Sequence, residues 1–105
     1  MSNIHFDLTS SFLKALAHPT RLKIIERLKD EDELCVCHIY EDLELEQSNV
    51  SQHLKILKDN NILTSRKDGI KVMYSIKHKE VLEIINLVKK ALYSQLKEEQ
   101  EYFQI

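Results

Sequence analysis

The chain has 105 residues, 43% apolar and 30% charged, a balance that suits one hydrophobic core and is too short for two. One Gly and one Pro exclude flexible linkers and glycine-rich phosphate loops, and point to a mainly helical chain. The formal net charge of −2 excludes a uniformly basic nucleic-acid binder, so any such role has to rest on how the charges are distributed.

Leu8, Phe12, Leu13, Leu16 and Ala17 repeat at helical spacing, with Asp7 or Thr9 available as N-cap. His18-Pro19-Thr20 interrupts that helix, and a second follows with Leu22, Ile25 and Leu28 on its inner face and Ile24 beside them. The acidic run Asp30 to Glu33 ends it in a turn. Leu34-Cys35-Val36 then leads into a short helix through Ile39 and Leu43, and Glu44-Leu45-Glu46 is a tight connection to the next helix. That helix buries Val50, Leu54 and Leu57 and runs to about Asn60, where Asn61 can take the left-handed conformation that Gly usually supplies. Ile62 to Lys67 and Lys71 to Ile76 change to a two-residue period and read as strands. Asp68-Gly69 between them is the hairpin signal. From about Lys79 to Glu99 one long amphipathic helix carries Val81, Ile85, Val88, Leu92 and Leu96, and Leu82, Ile84 and Leu87 widen its stripe. So wide a stripe at the end of a small domain suggests burial against a second copy, the alternative being packing on its own domain.

The order is helix, helix, short helix, tight turn, helix, hairpin, helix. A short-turn helix pair followed at once by a basic hairpin is a winged helix-turn-helix, a mainly α fold with a β-hairpin wing. Residues 1–105 are expected to form a single such domain, its terminal helices making a dimer interface. The charges fall in three blocks. Residues 1–46 hold 5 Lys/Arg against 10 Asp/Glu, residues 47–79 hold 7 against 2, and residues 80–105 hold 3 against 5. A basic middle third between acidic flanks is the footprint of a phosphate-binding face.

On the second helix of the pair, removing the core-facing Val50 and Leu54 leaves Gln47, Ser48, Asn49, Ser51, Gln52, His53 and Lys55. Gln and Asn can make two hydrogen bonds to an adenine edge, and Ser can contact a base or a phosphate. His53 and Lys55 suit the backbone, as do Arg66, Lys67 and Lys71 on the wing. Double-stranded operator DNA is the expected partner. A winged helix serving as a protein-interaction module is the alternative, and it would need exposed apolar residues where these polar ones stand. No catalytic constellation is visible among the dispersed His residues, so an enzyme is not expected. No apolar run reaches a membrane span, and Met1 to Leu8 lacks a signal-peptide layout. A cytoplasmic protein is expected, and its reducing surroundings argue against a structural disulfide between Cys35 and Cys37.

Leu16-Ala17-His18-Pro19-Thr20-Arg21-Leu22, Glu33-Leu34-Cys35-Val36-Cys37 and Val50-Ser51-Gln52-His53-Leu54-Lys55-Ile56-Leu57 resemble, in order, the motifs of the ArsR/SmtB family of metal-responsive repressors. The likeness spans about residues 8–96. It implies a homodimeric repressor, joined through its first and last helices, that an inducer releases from a roughly palindromic operator. Glu46 departs from the family's usual Ser or Thr N-cap, and Asn61 from its usual Gly.

Cys35 and Cys37 are the candidate sensing site. Thiolates are soft ligands that favour As(III), Cd(II), Pb(II) or Zn(II) over hard ions, and both sulfurs can face one ion if Val36 turns away. Helix N-terminal amides would raise the thiolate fraction. No obligatory cofactor is expected. The resemblance to arsenic sensors would place a third Cys where Tyr40 stands, leaving His5 of a second protomer, His38 or water as the third ligand. Three rivals remain: thiol-based sensing of oxidants or reactive sulfur, an inert buried pair, and a zinc site on the last helix. For that site His78 and Glu80 supply one half, but Ala91 and Ser94 occupy the other.

Overall fold

The computed structural model describes residues 2–103. Helix α1 spans Ser2–Leu16 and so begins six residues before the apolar repeat. Neither Asp7 nor Thr9 caps it. Thr9 lies inside the helix, where its Oγ1 donates to the His5 carbonyl at 2.8 Å, the back-bond a hydroxyl makes within a helix. Helix α2 spans Pro19–Leu28. His18 is extended, its Nδ1 accepts from the Thr20 amide at 3.1 Å, and Pro19 opens the first turn without leaving an amide unpaired. Ile24, Ile25 and Leu28 are fully buried, whereas Leu22, expected on the same inner face, stands at the rim of a groove between the terminal helices.

Strand β1 is only Leu34–Cys35, and it leads directly into α3, Val36–Leu43. Helix α4 spans Gln47–Asp59. Both helices end the same way. Glu44 and Asn61 take φ of 57° and 60°, and paired amides reach back to Glu41 and Tyr40 in one case and to Lys58 and Leu57 in the other. This is the Schellman closure, which needs one left-handed residue. Asn61 fills that place as its residue type suggests, whereas Glu44 does so without any sequence signal.

Strands β2, Leu63–Asp68, and β3, Lys71–Ile76, form the wing. The sheet order is β1-β3-β2, antiparallel throughout. Asp68 pairs with Lys71, so the loop is Gly69-Ile70 and Asp68 belongs to the strand. Gly69 has φ +65° and Ile70 is not left-handed, which is the type II′ arrangement with glycine at the first central position. The core gathers Ile24, Ile25 and Leu28 from α2, Ile39 from α3 and Val50, Leu54 and Leu57 from α4, closed by Ile62 and Leu63.

Helix α5, Glu80–Phe103, contributes Val81 to that core, with Leu82, Ile84 and Ile85 packed against it. Beyond them Leu87, Val88, Leu92 and Leu96 are more than half exposed, as are Ile4, Phe6 and Leu8 on α1. The radius of gyration is 16.5 Å, against about 13 Å for a compact chain of this length, because the two terminal helices project. Among the described residues no helix is long and apolar enough to cross a membrane.

A Cβ at Gly69 would meet nothing within 4 Å, so its cost is purely conformational. Gly69→Ala is expected to lower stability by about 1–2 kcal/mol, read as a lower urea midpoint with an unchanged slope.

Candidate metal centre and nucleic-acid interface

Cys35 stands where extended chain turns into helix. It pairs with Met73 of β3, and its Sγ accepts from the His38 amide at 3.4 Å, capping α3. Cys37 lies in the first turn of α3. The turn of the chain at Val36 brings the two Cα atoms to 5.3 Å, and the sulfurs are joined in a disulfide. The free thiols expected from the sequence are thus corrected: one extended residue followed by a helical turn produces a separation within disulfide range. Val36 packs against the core as the dithiol reading requires, so both sulfurs lie on the same side of the chain.

His38 joins them. The donor atoms of Cys35, Cys37 and His38 all lie within 4.8 Å of one another. Two sulfurs and one imidazole suit a soft or borderline ion once the disulfide has been reduced, since only thiolates ligate. Of the third ligands weighed from the sequence, His38 is in place. His5 lies on α1, stacked on Phe6. An open cleft of about 460 Å³ runs from the cysteines past Tyr40 to Gln47 and Ser51 of α4 and to Ile70 and Lys71 of the wing. The sulfurs and the polar face of α4 therefore border one space.

Burial of Val50, Leu54 and Leu57 leaves Gln47, Ser48, Asn49, Ser51, Gln52 and Lys55 exposed on the outer face of α4. Glu46 makes no side-chain cap, so the first amides of α4 remain open. Lys55 pairs with Asp59 at 2.9 Å. Arg66, Lys67 and Lys71 are exposed on the wing, with Arg66 held by Glu33. His53 differs from its neighbours. It is half-buried, its ring centroid lies 4.4 Å from that of His18, and its Nδ1 accepts from Arg21 Nε at 3.1 Å. Arg21 also reaches the Ala15 carbonyl at 3.4 Å. One guanidinium thus ties the end of α1 and the start of α2 to the middle of α4. The sequence carried no signal for the partners of His53 and Arg66, because each lies more than thirty positions away.

A helix pair with a polar outer face, a basic wing and a Cys-x-Cys–His cluster beside them define a winged helix-turn-helix regulator whose two sulfurs, once reduced, can hold a thiophilic ion. Residues 18–65 match the model of the bacterial regulatory protein, arsR family. The chain is 43% identical over 77 residues to an arsenical resistance operon repressor of Staphylococcus xylosus, covering 73% of this chain and 72% of that one. It is 38% identical over 87 residues to the cadmium resistance transcriptional regulatory protein CadC of Listeria innocua, covering 83% and 73%. Among solved structures it resembles the homodimeric winged helix-turn-helix DNA-binding domain of a possible ArsR-family regulator from Mycobacterium bovis, with a TM-score of 0.82, 25% identity and coverage of 92% and 89%. The chain belongs to the ArsR family, whose members are transcriptional regulators and not enzymes.

His53 titrates below the ordinary histidine range, first because of its burial and then because of the nearby His18 and Arg21. Protonating Nδ1 would also set two donors face to face. A histidine with a lowered folded pKa contributes stability that is present above its unfolded pKa of about 6.5 and lost as pH falls below it. Thermal stability is expected to drop between pH 7 and pH 5, and His53→Gln to flatten that drop in a calorimetric pH series.

Proposed function

We propose that this chain is a homodimeric repressor that binds operator DNA through α4 and the wing and is released when a thiophilic metal or metalloid binds Cys35 and Cys37. The observation that carries this reading is the Cys35–Cys37–His38 cluster at the junction of β1 and α3, on a cleft shared with the reading helix. Gln47, Ser48, Asn49, Ser51 and Gln52 read or approach base edges. Lys55, Lys67 and Lys71 contribute phosphate contacts, and His53 seats α4 on α2. As a regulator of DNA, the protein acts in the cytoplasm.

Coupling runs by two routes. Cys35 is hydrogen-bonded into the wing through β3, and α3 is joined to α4 by the closed turn at Glu44. An ion drawing both sulfurs and His38 together favours one arrangement of this junction over another, and the DNA-competent population falls. Arsenite, Cd(II), Pb(II) and Zn(II) are the candidate inducers. The names of the Staphylococcus and Listeria relatives support arsenic and cadmium first, and the imidazole in the cluster suits Cd(II) or Zn(II).

The disulfide favours a second reading in which oxidation is itself the signal. Two thiols would lose two electrons and two protons to a peroxide, which leaves as two waters. Fluorescence anisotropy on DNA from upstream of the gene separates the two readings. With the phosphine-reduced protein, one thiophilic ion is expected to lower affinity by about 5- to 150-fold, while Cys35→Ser binds DNA as before and ignores the ion. Release by peroxide alone would transfer the function to redox sensing.

The exposed apolar residues of α1 and α5, together with the groove between them lined by Leu13, Leu22, Val88 and Leu92, suit a second copy. The homodimeric Mycobacterium neighbour supports that occupant. Leu92→Glu is expected to shift the protein to monomer in sedimentation velocity and to weaken operator binding by at least about tenfold, because the two half-sites would no longer be held together.

A further inference from the structure

Of the wing cations, Arg66 alone is already engaged by an acid. Its Nε donates to Glu33 Oε2 at 2.8 Å and its Nη2 to Glu33 Oε1, a two-pronged pair. Among the described residues Lys67 and Lys71 form no ion pair. Glu33 belongs to the loop that enters β1, two residues before Cys35, and the contact reaches across the central strand. Arg66 pairs with Met73, and Met73 pairs on its other side with Cys35.

A guanidinium fork fits a carboxylate and a phosphate alike, with two parallel N–H···O bonds to either. One fork cannot serve both. We infer that Glu33 acts as an internal phosphate mimic, occupying Arg66 and holding it off the DNA backbone, which limits the wing's sequence-independent grip. This rests on the reading that the wing faces DNA. Glu33 is a positioning residue and touches no base or phosphate itself. Its effect is to lower affinity for all DNA equally, so that discrimination depends more on the polar face of α4.

The alternative is that the pair only braces the wing, in which case removing Glu33 would weaken binding. The test is a salt series of binding isotherms on the upstream duplex and on a random duplex of equal length, using the reduced full chain, Glu33→Gln, and Glu33→Gln with Arg66→Ala. Glu33→Gln keeps the shape and frees the guanidinium. It is expected to tighten binding to both duplexes by at least about threefold and to steepen the log affinity against log salt plot by about 0.9 for each Arg66 that gains a phosphate. Adding Arg66→Ala is expected to restore the slope of the natural chain.

Weaker binding or an unchanged slope in Glu33→Gln overturns the inference. So does a double variant that stays steep, since the gain would then come from removing a negative charge and not from Arg66. If the natural chain binds neither duplex, the repressor reading falls together with this one. If it binds with strong salt dependence while Glu33→Gln does not steepen it, only this inference falls.

Discussion

Val50, Leu54 and Leu57 lie on one face of α4 and are fully withdrawn from water, packed with Ile24, Ile25 and Leu28 of α2 and Ile39 of α3. That packing is the constraint on which the rest depends. At about 1.5–3 kcal/mol for each fully buried aliphatic side chain, it fixes the rotation of α4 about its own axis. Once the rotation is fixed, Gln47, Ser48, Asn49, Ser51 and Gln52 have nowhere to point but outward. Arg21 reinforces it from the edge, joining His53 to the Ala15 carbonyl. Arg21, in the motif around His18 to Leu22, thus helps to seat α4 on the helices before it.

The second organising feature is a strand only two residues long. Without β1 the wing would be a two-stranded ribbon and Cys35 would belong to a loop. With it, Leu34 and Cys35 are bonded to Tyr74 and Met73, and Cys35 lies in an edge strand of the sheet that carries the wing. Cys35 also caps α3, so one residue belongs at once to the strand, the helix terminus and the thiol pair. The Glu33–Arg66 pair crosses the same sheet and adds a charged link between the segment before the cysteines and the wing.

Charge and apolar surface divide the molecule by role. Acidic residues dominate the N-terminal segment and basic ones the part that carries α4 and the wing, so a net charge of −2 coexists with a phosphate-seeking face. The exposed Leu and Val side chains of the terminal helices form the kind of apolar patch that marks an interaction surface. The proposed dimer contact and the proposed DNA face therefore draw on different elements of the chain.

Local features were legible from residue order alone. The period of the apolar residues gave the helices and the two long strands, Pro19 and Asn61 marked boundaries, and the polar remainder of α4 followed from subtracting its core positions. The Cys-x-Cys spacing and its neighbours sufficed to indicate the chemistry of the sensor and the resemblance to the ArsR family. Some local details were misplaced. The first helix begins at Ser2 because an exposed polar turn can continue a helix without any apolar signal, and the hairpin loop is Gly69-Ile70 because strand register, not the dipeptide, decides where pairing stops. What tertiary structure alone decided was long-range: the pairing of β1 with β3, the grip of Glu33 on Arg66 and the seat of His53 against Arg21. A sequence records which side chains can form such contacts. Only the packed core sets the distances and directions that determine which of them do.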